Sequence, residues 1–174
     1  GGTVVVLGLA IWGTSQIQVN NVLLEDLASD DPFRQEFQFF ENQFAGVRPF
    51  ELAIQVADSQ DIYDLSVQQE LKDIGRYLKK DYGVGSLLSS AEIFSQVNCW
   101  SNGGQAQFHR LPSRQKDLQS MIKNLKRFGA EELLALVAHP KDNLLRINGK
   151  VSDLGSQVFR RKNMALMEWF HQKY

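Results

Sequence analysis

The sequence predicts an α+β fold of the ferredoxin-like, split β-α-β kind, with helices packed on a mixed or antiparallel sheet. Segments of period two alternate along the chain with segments of period 3.6. They fall in the order strand, helix, strand, helices, strand, hairpin, helix, which places helices over one face of a sheet. Hydrophobic residues are 43% and charged residues 22% of the 174, ordinary values for one domain with a real core.

At the N-terminus, an apolar core from Val4 to Trp12 is shorter than the roughly 20 residues of a membrane span. It also lacks the basic n-region of a signal peptide. Its β-branched Val4-Val5-Val6 favours an interior strand. Trp12, at an apolar-to-polar boundary, also suits a membrane interface and so the outer end of a trimmed membrane helix. The first clear helix follows, with Asp31 as cap and Pro32 at its first position. Phe33, Phe37, Phe40 and Phe44 fall on one face of it, and Gly46 ends it. From Pro49 to Ala57 the residues Phe50, Leu52, Ile54 and Val56 alternate with Glu51, Ala53 and Gln55, so this is a strand with one polar face. After the polar turn Asp58 to Asp61, Val67, Leu71, Ile74 and Leu78 make a second helix, broken at Gly83. Val84 to Leu88 reads as a second strand.

Ser89 and Glu92 have capping-box spacing before Ile93, Phe94 and Val97, which marks a short helix. The stretch from Asn98 to Gly104 is too rich in Asn, Ser and Gly to stay regular for long. A long helix beyond Leu111-Pro112-Ser113 carries an apolar stripe of Leu118, Met121, Ile122, Leu125 and Phe128, and Gly129 stops it. Leu133 to Ala138 is an apolar run of strand length. Leu144 to Ile147 and Lys150 to Ser152 flank Asn148-Gly149, a pair suited to a type I′ hairpin turn. A helix from about Gly155 to Tyr174 closes the chain.

Composition and motifs exclude several functions. With 19 basic and 20 acidic groups the net charge is -1, so no nucleic-acid footprint is present and nucleic acid is not an expected partner. The one cysteine, Cys99, allows neither an intrachain disulfide nor an all-cysteine metal site and reads as a small buried hydrophobe. His109, His139 and His171 have no metal-ligand spacing, and Asp58, Asp61 and Asp64 lack the twelve-residue calcium pattern. Glu25, Asp26, Asp30 and Asp31 bracket a helix start and suit capping. Gly83-Val-Gly85 has the wrong strand and helix order for a dinucleotide loop, and Gly103-Gly104 reads as a loop. A triad of Ser90, His109 and Asp153 can be written down, but no nucleophile elbow accompanies it. The expectation is a non-enzyme with no catalytic residues, cofactor or metal. Phe is the unusual count, 11 against 3 Trp and 4 Tyr. That excess suits a core, an interface or an apolar ligand surface.

Specific stretches also resemble a known family. They are Asn20-Asn-Val-Leu-Leu-Glu-Asp-Leu27, Asp31-Pro-Phe-Arg34, Phe39-Phe-Glu-Asn-Gln-Phe-Ala-Gly46, Pro49-Phe-Glu-Leu52, Leu87-Leu-Ser-Ser90 and Arg146 to Ser156. In this order they make residues 17–174 similar to the first large extramembrane loop of bacterial exporters of the resistance-nodulation-division superfamily, in the MMPL or sterol-sensing-like branch. The resemblance implies a porter-type domain over residues 49–174, a connector with an amphipathic helix over residues 20–48, and the outer end of transmembrane helix 1, or else the apolar strand, in residues 1–19. It implies a proton-driven exporter in the cytoplasmic membrane, with this domain in the periplasm and non-catalytic by itself. Its partners would be the remaining transmembrane helices, the second periplasmic loop, a hydrophobic or lipid-like substrate and, as one option, further copies of itself. The chain is too short for the full porter and docking domains of the multidrug-pump branch, so a tripartite outer-membrane partnership is not implied. Phe94 and Trp100, with Phe33, Phe37, Phe40 and Phe44, are the candidate substrate or interdomain contacts. A periplasmic interaction module and a small enzyme with a cryptic site are the alternatives.

Overall fold

The computed structural model describes Trp12, residues 27–28 and residues 30–174. The chain divides into two compact units, one of Pro32–Ser152 and one in which Gly1–Asp31 joins Asp153–Tyr174. The expected strand or helix end over residues 1–19 lies outside the described residues, apart from the exposed Trp12.

The larger unit opens with helix α1 (Pro32–Gln43), which starts at the expected proline and buries none of its residues. The chain then turns through Ala45 (φ 58°) and Gly46 (φ 118°). A Cβ on Gly46 would stand 2.4 Å from the Val151 carbonyl carbon, so only glycine lets the chain pass so close to the sheet. Strand β1 (Arg48–Gln55) alternates as its sequence does: Phe50, Leu52 and Ile54 are half-buried, and Glu51, Ala53 and Gln55 are exposed. Helix α2 (Leu65–Tyr77) buries Val67, Leu71 and Ile74. It widens into one π-turn over Leu78–Tyr82 and stops at left-handed Gly83. Strand β2 (Gly85–Leu88) leads to helix α3 (Ser90–Ser101), where the Ser89 hydroxyl accepts from Glu92 N at 3.2 Å as the capping box requires. Helices α4 (Gln115–Arg127) and α5 (Glu131–Ala135), then strands β3 (Ala138–His139) and β4 (Leu144–Val151), complete the unit.

The four-stranded sheet has the order β1-β4-β2, with β3 also paired to β4. Every pairing is antiparallel. Strands β1 and β2 therefore run parallel to each other, joined through α2, with β4 between them. Leu145, Ile147 and Val151 of β4 are buried, opposite Ile54, Leu52 and Arg48 of β1. The other face is polar, and Arg146 meets Glu51 there at 3.4 Å. The helical core is Ile93, Phe94, Leu118, Leu134 and Val137, with Tyr63, Leu65, Leu88 and Val97 against it. Full burial of a side chain such as Phe94 contributes about 2–3 kcal/mol.

Local reading failed at four places. Asn148-Gly149 is no turn; it lies inside the continuous strand β4. Gly149 serves a different need there, because a Cβ on it would reach within 2.4 Å of Val84 Cγ1 as β2 crosses beside it. The run from Leu133 to Ala138 is not a strand. Glu131 and Glu132 start a short helix, where they suit the positive end of the dipole, and only Ala138–His139 pair with β4. Helix α3 continues through Asn98, Cys99 and Trp100 and ends only before Gly103 and Gly104, both at positive φ. Phe128, assigned to the apolar stripe of α4, is 79% exposed.

In the second unit, helix α6 (Ser156–Lys173) matches the expected closing helix. It buries Leu166, leaves Met164 and Met167 exposed, and sets the Trp169 and Phe170 rings edge to face at 5.2 Å. Among the described residues, no helix is long and apolar enough to cross a membrane.

Candidate functional site

Helix α1 exists because Pro32 fixes its first turn and because Glu, Gln, Arg and Phe tolerate helical backbone. Its aromatic residues do not find a core. Phe33, Phe39, Phe40 and Phe44 are all exposed by half or more, and Phe37 is half-buried. The Phe40 and Phe44 rings stack at 5.7 Å, Phe39 meets Phe40 edge-on at 5.9 Å, and Lys150 Nζ lies 5.7 Å from the Phe44 centroid. Phe39, Phe40 and Phe44 thus form one wet, self-contacting surface, with a cation at one end. Phe39 was not singled out by the four-and-three spacing, since it sits one residue off that stripe. Only a helix solvated around most of its girth displays both.

The other candidates separate. The Phe94 ring is wholly buried and meets Tyr63 edge-on at 6.3 Å, so it is a core residue with no surface to offer. Trp100, near the C-terminal end of α3, is 68% exposed. Cys99 beside it is buried, and its thiol donates to Gln105 O at 3.3 Å.

A polar cluster between α2 and α3 was not visible in the sequence. Lys72 Nζ donates to Ser95 Oγ at 2.6 Å, and Ser95 Oγ donates to Ala91 O at 2.7 Å. Glu92 accepts from Lys79 at 2.9 Å and lies 3.7 Å from Lys72. Burial pulls the Lys72 ammonium below its ordinary value, although the Glu92 carboxylate opposes this. For Glu92, burial pushes the other way, but the Lys79 hydrogen bond and the charges of Lys72, Lys79 and His109 hold its carboxyl below the usual range. A serine beside a depressed lysine is the pairing that nucleophilic catalysis uses. Here Ser95 is fully buried and its proton is committed to the carbonyl one turn back, so no substrate carbonyl reaches it. The cluster clamps two helices. Ser90, also fully buried, donates to Gln68 at 2.9 Å and belongs to the same packing.

A third feature is an open groove of about 700 Å³ lined by Asp58, Asp61, Tyr63, Lys126, Pro140 and Asn143, among others. One wall is tied together by Asn143, at φ 49°, which donates through Nδ2 to Val56 O, Ala57 O and Gln60 O. Asp61 Oδ1 accepts from Tyr63 N and Asp64 Oδ2 from Asp61 N, so these aspartates shape the loop. Burial, with Asp61 beside it, raises the Tyr63 phenol above its ordinary value. Among the described residues, no group of three or more His, Cys, Asp or Glu side chains is placed to hold a metal ion.

Comparison with protein-family models, with curated proteins and with solved structures finds no match to this chain.

Proposed function

We propose that this chain is an extramembrane domain of a proton-driven exporter of the resistance-nodulation-division superfamily, MMPL or sterol-sensing-like branch, and that it forms one wall of a path for a hydrophobic or lipid-like substrate. The observation that carries the reading is the aromatic face of α1: a helix with no buried residue, with Phe33, Phe39 and Phe40 exposed on it and Phe44 exposed just past its end. Water-facing domains rarely keep such a patch unless something apolar visits it. One other feature supports it. Strands β1 and β2 run parallel on either side of β4 with α2 between them in sequence, an arrangement that a split β-α-β unit would share.

In this reading the domain has no catalytic task, cofactor or metal, and it works in the periplasm beside the second periplasmic loop. Energy coupling rests with membrane helices. The same aromatic face would serve a protein-interaction module. The coding sequence on both sides of this segment separates the two. An apolar run of about 20 residues overlapping the N-terminal segment, and another soon after Tyr174, is the expected result. A secretion signal before the segment and a stop directly after it would overturn the exporter reading and leave the interaction module.

A further inference from the structure

We infer that the outer edge of β1 is a self-association site, at which two copies of this chain pair β1 with β1 in antiparallel register about a twofold axis at Leu52. The inference does not rest on the exporter reading. Among the described residues, β1 pairs only with β4. Which backbone groups are spare follows from the ladder. Arg146 N donates to Val137 O, away from β1, so the even-numbered residues of β4 turn toward β3 and β2 and the odd-numbered ones toward β1. Ile54, Leu52 and Phe50 lie opposite Leu145, Ile147 and Gly149, so they bond inward. The outward set is Pro49, Glu51, Ala53 and Gln55. Pro49 fits this assignment, since its missing N–H would face the edge that has no partner strand among the described residues.

Edges of this length are normally blunted by charge, bulges or cover. This one has eight residues, and beyond Arg48 and Pro49 at its start it carries one charge, the Glu51 carboxylate, which Arg146 already holds. Its inner row of Phe50, Leu52 and Ile54 is only half-buried, so an added strand with matching apolar residues would complete the burial.

A second copy supplies that strand. With the axis at Leu52, Leu52 faces Leu52, Phe50 faces Ile54 and Glu51 faces Ala53, so apolar residues meet on the core side and no like charges meet. The outward groups would form roughly six backbone hydrogen bonds, the prolines leaving two unmade. An axis at Glu51 would oppose two carboxylates, and an axis at Ala53 would overlap less of the strand. The interface is isologous, as a closed dimer requires.

The test uses the whole 174-residue chain in sedimentation over a dilution series, together with register-specific crosslinking. A reversible dimer is expected, and Ala53→Pro, which removes an outward N–H without touching the β4 ladder, should weaken it about tenfold or more. An equimolar mixture of Glu51→Cys and Ala53→Cys proteins should form a disulfide under mild oxidation, because facing residues lie about 5.5 Å apart. Either variant alone should crosslink far less, since its thiols meet only diagonally at about 7–8 Å. A monomer at every concentration overturns the inference. So does a dimer in which the mixture crosslinks no faster than the single variants, and this holds even where Ala53→Pro fails to fold.

Discussion

At Gly149 a two-residue signal and the fold disagree. Asn-Gly is a turn signal read over two residues, whereas the glycine is there because β2 passes within a side chain's width. Nothing within reading distance of position 149 names β2 as its neighbour. Gly149→Ala should therefore lower stability by about 1–3 kcal/mol in urea denaturation, where a hairpin-turn glycine at an exposed tip would give less. The Ser89 cap was legible for the opposite reason, since its partner is three residues away. Glu92 at the end of that motif carries a second prediction. Its carboxyl is depressed in the fold, so the stability it supplies is present above the unfolded carboxylate value and is lost as pH falls through the lowered folded value. Glu92→Gln should cost roughly 1–3 kcal/mol at neutral pH. The gap from wild type should close on acidification, and a gap independent of pH would remove the ion-pair account.

Among the elements, α2 was the most readable: every position predicted for its apolar stripe, from Val67 to Leu78, is buried. Helix α1 has as clear a periodicity and buries nothing. Period states which residues share a face, but not whether this chain supplies a surface for that face. Phe40 and Phe94 make the contrast measurable. Phe94→Ala should cost about 3–5 kcal/mol, because it opens a cavity in the core. Phe40→Ser should change stability by less than about 0.5 kcal/mol. If α1 is an apolar contact surface, Phe40→Ser combined with Phe44→Ser should reduce the fluorescence gained by an apolar naphthylamine dye on mixing. Unchanged dye binding would place the apolar surface elsewhere, for instance at Trp100 or Phe128. The short helix α5 was unreadable because an apolar run of six residues fits a strand and a buried helical turn alike.

For the whole molecule, a mixture of helices with a sheet was legible, and so was the alternation along β1, because burial on one side of a strand imposes it. The pairing order was not, because β4 enters between two strands that precede it by many residues. Hydrophobic patterning carries no label for a partner so far away. Of the candidate residues, the shared face of Phe33, Phe37, Phe40 and Phe44 was legible from their spacing, but the division between the buried Phe94 and the solvated face of α1 was not. The two-unit division predicts that Pro32–Ser152 expressed alone unfolds as one cooperative transition. The central claim, an extramembrane exporter domain, is tested most directly in cells. The protein encoded by the whole gene, carrying Asp58→Cys on the exposed turn, would be treated in spheroplasts with a membrane-impermeant maleimide. The account predicts a membrane-bound protein labelled from outside, with the buried Cys99 of the parent left unlabelled. A protein found in the soluble fraction, or labelled at position 58 only after lysis, would contradict it.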